Sequence, residues 1–186
     1  MLLFGHAGIT LGVATVLTHA IDKKRNESGW LASLSRYLDI RWLLVGSMLP
    51  DIIDKPVGLY FFRDTFNNGR IFSHTLLFLI LISAGGFFLW KKYHRVWMLS
   101  LAAGTLMHLI LDESWLAPAT LFWPLLGLTF PKIELEYWLD NILKALFTAP
   151  KIYLTELIGL IIIIWSGVVI IRKKNTGNFL KYGKVN

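Results

Sequence analysis

The sequence predicts an all-α fold, a polytopic membrane helix bundle with about five transmembrane helices and one interfacial amphipathic helix. Of the 186 residues, 55% are hydrophobic, whereas soluble domains have about 45–50% apolar residues. The apolar residues lie in long runs, as spanning helices require. The mean hydropathy of +0.55 agrees with a membrane protein.

The helices are predicted from five apolar runs, which cover residues 2–21, 42–53, 71–90, 96–111 and 157–171. Between the last two runs, three prolines interrupt an apolar stretch, so residues 114–150 are predicted to be a re-entrant or interfacial segment. Within this segment, apolar residues recur every three or four positions over residues 135–146, which predicts the amphipathic helix. Residues 1–171 then form a single transmembrane domain, and residues 172–186 form a basic cytoplasmic tail.

The basic residues predict the orientation of the chain. Residues 22–41, 91–95 and 172–186 hold 5, 3 and 5 Lys and Arg residues, which is 13 of the 19 in the chain. Because Lys and Arg are enriched in cytoplasmic loops, the N-terminus is predicted outside and the C-terminus inside, in the cytoplasmic (inner) membrane. The net charge of +7 comes from residues scattered among helix ends, which argues against a nucleic-acid-binding surface.

With this orientation, four helices bring ionisable residues to the outer face of the bundle. These residues are His6, Asp51, Asp54, Arg70, His74, His108 and Asp112. Such side chains are costly near the hydrocarbon edge and are usually paired or functional. His and Asp together suit Zn²⁺, with Mn²⁺ and Fe as alternatives, and the set is large enough for one or two ions. The chain has no cysteine, so thiolate ligands are excluded.

Each pair within this cluster also has a simpler interpretation. His108 and Asp112 are four residues apart and share a helix face, where they can form a hydrogen-bonded pair. Asp51 and Asp54 can cap helix ends at the membrane boundary. The convergence of four helices, more than any single pair, therefore favours a metal site.

Four motifs in this chain, in order, carry a resemblance to a known family. They are Gly5-His6-Ala7, residues 46–54 (GSMLPDIID), residues 70–76 (RIFSHTL) and residues 108–112 (HLILD), followed by Trp123-Pro124. In these motifs the sequence resembles the YdjM-type inner-membrane metal-dependent hydrolases, a LexA-regulated group. The family usually has Thr before the corresponding histidine and Ser after it. Here Ser73 precedes His74 and Thr75 follows it, which is a mild departure.

The resemblance implies a metal-dependent hydrolase that is distantly similar to zinc-dependent phospholipase C. It implies five metal ligands, namely His6, Asp51, His74, His108 and Asp112. Asp54 would be a further ligand or the general base, and Arg70 would neutralise the charge of the substrate.

We therefore expect a membrane-embedded hydrolase that acts on a lipid or lipid-linked phosphate ester at the outer membrane face. The expected partners are membrane lipids and this substrate, without nucleic acid. A non-hydrolytic metal-binding or transport protein is the alternative, because intramembrane carboxylates and histidines also build ion paths. A third interpretation is a structural or assembly factor whose polar cluster is only a hydrogen-bond network, and bound metal in the purified protein would argue against it.

Overall fold

The computed structural model describes residues 2–22, 29–132 and 144–185, and within these ranges the regular structure is helical. The helices are α1 (Leu3–Asp22), α2 (Trp30–Tyr37), α3 (Ile40–Gly46), α4 (Leu49–Pro56), α5 (Leu76–Tyr93), α6 (Trp97–Leu111), α7 (Pro118–Leu121), α8 (144–148), α9 (Pro150–Arg172) and α10 (Thr176–Tyr182). A π-helical turn, Val57–Phe61, follows α4, and a 3₁₀ turn, Phe72–His74, precedes α5.

Three of these helices, α1, α5 and α9, are long and apolar enough to cross a membrane. They correspond to the first, third and fifth predicted runs. The fourth run forms α6, an apolar helix of 15 residues. At 1.5 Å per residue such a helix is about 22 Å long, which is shorter than a hydrocarbon core of about 30 Å. The predicted count of five spans is therefore not confirmed by the described part of the chain.

The second predicted run, residues 42–53, is divided between two short helices. α3 ends at Gly46, and α4 begins at Leu49 with Pro50 in its first turn. Proline lacks an N–H group, so it is tolerated at the start of a helix but interrupts one that would continue through it. The break leaves the carbonyl oxygen of Ser47 within hydrogen-bonding distance of His108, so it helps to position the candidate site.

Glycines allow two pairs of helices to approach closely. α1 packs beside α9, where a Cβ atom on Gly8 would lie 2.1 Å from the carbonyl oxygen of Gly159. α3 packs on α6, where a Cβ atom on Gly104 would lie 2.2 Å from the carbonyl oxygen of Leu43. Small residues at helix contacts are typical of membrane bundles. These contacts hold α1 against α9 and α3 against α6.

At the end of the bundle where α1 finishes, the C-terminal segment packs back onto α2 and α3. The side chain of Val185 is buried there. The hydroxyl of Ser35 donates to the carbonyl oxygen of Val185 at 2.9 Å, and Nη1 of Arg41 donates to that of Leu180 at 2.7 Å. The predicted basic tail thus contains a docked helix, α10, and its cytoplasmic location stays a prediction.

The predicted amphipathic helix falls mainly on residues 133–143, which lie outside the described residues. In the segment assigned to residues 114–150, the described part begins with a 3₁₀ turn, Ser114–Leu116, and the short helix α7. Residues 144–148 form α8. The re-entrant or interfacial placement of this segment stays a prediction.

Candidate metal centre

Three imidazole rings from separate elements meet at the beginning of α1. His6 lies in the first turns of α1, His108 in the last turn of α6, and His74 at the end of the 3₁₀ turn before α5. Their exposed fractions are 0%, 0% and 1%. The rings of His6 and His108 stack with centroids 4.3 Å apart, and those of His74 and His108 meet edge to face at 5.1 Å.

Each of these imidazoles has its Nδ1 atom beside a hydrogen-bond acceptor. In His6, Nδ1 lies 2.8 Å from the carbonyl oxygen of Leu2, and in His108 it lies 2.7 Å from that of Ser47. A carbonyl oxygen can only accept, so Nδ1 carries the proton in both rings. In His74, Nδ1 lies 2.7 Å from a carboxylate oxygen of Asp54, which assigns the same tautomer. An outer acceptor of this kind fixes a ring so that Nε2 is free to bind a metal.

The Nε2 lone pairs point toward one another. Nε2 of His74 and Nε2 of His108 are 3.3 Å apart. With both protons on Nδ1, no hydrogen joins these atoms, but two nitrogens at zinc-bond length on a tetrahedral ion are also separated by about 3.3 Å. Nε2 of His6 is buried without a hydrogen bond, 3.1 Å from Oδ1 of Asp112. The separation of the His74 and His108 nitrogens therefore fits a shared cation.

Two carboxylates complete the donor set. Oδ1 of Asp51 lies 3.7 Å from Nε2 of His74 and 3.9 Å from Nε2 of His108, and Oδ2 of Asp112 lies 3.9 Å from Nε2 of His108. Among the described residues, two groups could hold a metal ion, His6 with His108 and Asp112, and Asp51 with His74 and His108. His108 belongs to both groups, and its Nε2 has one lone pair, so it can bind an ion in only one of the two groups at a time.

A basic side chain binds the outer oxygen of each carboxylate. Nζ of Lys55 lies 2.6 Å from Oδ2 of Asp51, and Nη2 of Arg70 lies 2.7 Å from Oδ2 of Asp112. The two basic side chains are 37% and 43% exposed, so they form an accessible rim above the buried imidazoles. Sequence reasoning missed Lys55, although its position four residues after Asp51 in a helix was a usable signal.

Asp54 lies behind His74, away from the other imidazoles. It is fully buried and accepts hydrogen bonds from the backbone N–H groups of Ile71, Ser73 and His74, from the Ser73 hydroxyl and from Nδ1 of His74. Burial raises the pKa of Asp54, but the hydrogen bonds from His74 and Ser73 outweigh it and hold the pKa below its usual value. Both oxygens are occupied, so this placement favours a positioning role over the expected role of ligand or general base.

The structure thus brings most of the predicted residues to one place. Five of them supply the inward-facing donors: His6, Asp51, His74, His108 and Asp112. Arg70 borders the centre, and Asp54 supports it from behind. Ser73 is buried, and its hydroxyl donates to Asp54.

The comparisons with known proteins give one match. The family model described as YdjM inner membrane protein matches residues 1–176. No curated protein and no solved structure matches the chain. The similarity to zinc-dependent phospholipase C therefore stays a prediction.

Proposed function

Because the chain belongs to the YdjM inner membrane protein family, we propose that it is a metal-dependent hydrolase of that membrane, acting on a lipid or lipid-linked phosphate ester. The observation that carries this proposal is that two groups of possible metal ligands, His6 with Asp112 and Asp51 with His74, meet at the imidazole of His108. Each imidazole is oriented by an acceptor on its opposite nitrogen. A hydrogen-bond network alone would place donors against acceptors instead of lone pairs against lone pairs.

The proposed ligands are His6, His74, His108, Asp51 and Asp112. Three nitrogen donors with oxygen donors and no sulfur suit Zn²⁺ best, with Mn²⁺ or Fe as alternatives. When bound, such a cation supplies Lewis-acid activation of water and of a phosphoryl oxygen.

The basic rim gives the proposal its substrate class. Arg70 and Lys55 extend above the ligand carboxylates with more than a third of each side chain exposed. The guanidinium fork of Arg70 suits the oxygens of a phosphate ester, and the ammonium of Lys55 adds a second positive charge. The two side chains would bind and orient an anionic headgroup over the centre.

The general base is proposed among the carboxylates that face the centre. Asp51 and Asp112 direct an oxygen toward the imidazoles, whereas both oxygens of Asp54 are occupied by donors. We therefore assign proton transfer to Asp51 or Asp112, whichever does not bind the cation through its inward-facing oxygen, and we assign Asp54 to the orientation of His74.

The loops that follow the site residues expose large apolar side chains, which supports a substrate that remains in the bilayer. Tyr60 and Phe61, shortly after Asp54, are each 78% exposed, and Leu125 and Leu128 are 84% and 78% exposed. Apolar surface of this kind is favourable in contact with lipid and unfavourable in water. A headgroup held at the centre would thus keep its chains beside an apolar surface.

The test uses the full chain purified in detergent. Elemental analysis should find a divalent metal, and the protein should release phosphorylated headgroups from lipid extracts in a manner abolished by a chelator. H74A and D112A should each lose the metal and the turnover, whereas H94A should keep both, because His94 ends α5 away from the centre. Undiminished metal in both site variants would remove the hydrolase assignment. Bound metal without turnover on any lipid would favour the metal-binding or transport alternative.

A further inference from the structure

Glu156, which sequence analysis left without a role, binds the first turn of a distant helix. It lies near the start of α9 and is 8% exposed. Its Oε1 accepts the backbone N–H of Leu2 at 2.7 Å, and its Oε2 accepts that of Phe4 at 2.9 Å. The first N–H groups of a helix have no partner within the helix, so this carboxylate satisfies two of them at the beginning of α1.

The same turn of α1 orients a proposed metal ligand. The carbonyl oxygen of Leu2 accepts the backbone N–H of His6 at 3.2 Å and faces Nδ1 of the same residue at 2.8 Å. Leu2 is therefore held by Glu156 through its N–H and holds His6 through its carbonyl. A continuous set of hydrogen bonds runs from α9 to the imidazole.

The packing of α1 against α9 leaves this connection little freedom. Gly159 lies one turn after Glu156, and a Cβ atom there would be 2.0 Å from the carbonyl oxygen of Phe4. The backbones thus touch at the turn that Glu156 binds. A displacement of the Glu156 carboxylate would be transmitted to Leu2 rather than absorbed by a gap.

We propose that Glu156 is a positioning residue of the metal centre, which fixes the direction of His6 Nε2 through the backbone of Leu2. This inference rests on the proposed function, because it requires that the centre binds a metal. The residues that orient the ligands would then include one on α9, a helix that supplies no ligand itself. A cap with a purely structural role would stabilise the contact between α1 and α9 without changing metal affinity.

The test is Zn²⁺ affinity, measured with the metal alone by competition against a chelator on the full chain in detergent. E156A should weaken Zn²⁺ binding by about tenfold or more, the effect typical of outer-shell changes. E156Q keeps one acceptor oxygen but turns an NH₂ group toward the other N–H. Its loss of Zn²⁺ affinity should therefore be smaller than that of E156A. S166A, at a buried polar position further along α9, is the matched control and should leave the affinity unchanged.

A double-mutant cycle identifies the path of the effect. In an H6A background, E156A should cause no further loss of Zn²⁺ affinity, whereas in a D54N background, which disturbs His74 instead of His6, it should keep its effect. Unchanged affinity in E156A and E156Q, with only a lower unfolding temperature, would reduce Glu156 to a structural cap and overturn this inference alone. If E156A does not fold, E156Q decides the same question. Absence of Zn²⁺ binding by the wild type would overturn both this inference and the proposed function.

Discussion

Both ends of the bundle bury ionisable side chains, and the two sets are arranged in opposite ways. Where α1 finishes, each carboxylate faces donors: Asp39 accepts from the guanidinium of Arg41 at 2.8 and 3.1 Å, and Asp22 accepts from Tyr37 at 2.8 Å. Where α1 begins, the Nε2 atoms of His74 and His108 face each other at 3.3 Å. The first arrangement pairs carboxylates with donors, whereas the second brings together ligand atoms that could hold a cation.

This difference separates a structural ion-pair network from a binding site. Burial and charge alone do not distinguish the two ends, since both contain carboxylates that are less than a tenth exposed. The direction of the hydrogen bonds does, because a neutral imidazole whose Nδ1 proton is donated to an acceptor presents a lone pair on Nε2. Metal binding should therefore be confined to the end where α1 begins.

The largest effect is expected from the imidazole that both candidate ligand groups share. H108N keeps an N–H donor that can reach the carbonyl oxygen of Ser47, but it removes the Nε2 ligand. We expect Zn²⁺ affinity to fall by more than about 100-fold, beyond the range of outer-shell changes. Chelator competition on the purified variant measures this loss.

The matched control for this variant is the histidine at the opposite end of α1. His19 stacks on Trp30 with ring centroids 4.9 Å apart. H19N should leave Zn²⁺ affinity unchanged. Equal losses of Zn²⁺ affinity in H19N and H108N would mean that Zn²⁺ binds histidines of this protein without selection. The two ends of the bundle would then not differ in metal binding.

The inward-facing donors of this centre could be predicted from the sequence. A spacing of four places His108 and Asp112 on one face of α6, and the charge distribution places His6, Asp51 and His74 at the same depth. These inferences need only helix geometry and the distribution of Lys and Arg. That is why the inward-facing donors are found among the residues that sequence reasoning selected.

The remaining features depend on contacts between distant segments. The role of Asp54 is set by the loop before α5, which turns its N–H groups toward the carboxylate. Glu156 reaches Leu2 across 154 positions of sequence, and the break in the second apolar run places the carbonyl oxygen of Ser47 beside Nδ1 of His108. Helical periodicity contains no information about such partners, so sequence reasoning could not assign them.

An intermediate effect is expected from the carboxylate behind His74. D54N should weaken Zn²⁺ binding by about 10- to 100-fold, because the amide cannot accept all of the N–H groups that Asp54 holds and His74 loses its fixed direction. If Asp54 were the general base, the variant would retain Zn²⁺ and lose only turnover. Parallel measurements of Zn²⁺ affinity and of kcat distinguish these outcomes. D39N, at the opposite end of the bundle, should lower stability without changing Zn²⁺ affinity.

The smallest effect is expected from the ion pair at the end where α1 finishes. R41Q removes the guanidinium that binds Asp39 and the carbonyl oxygen of Leu180. The Arg41 side chain is 32% exposed, so solvent screening limits the loss of unfolding free energy to about 0.2–1 kcal/mol. Thermal unfolding in detergent should show this change, reduced further at high salt, while Zn²⁺ affinity stays at the wild-type value. Weaker Zn²⁺ binding in R41Q would show that the two ends are coupled through the bundle, because Arg41 contacts none of the proposed ligands.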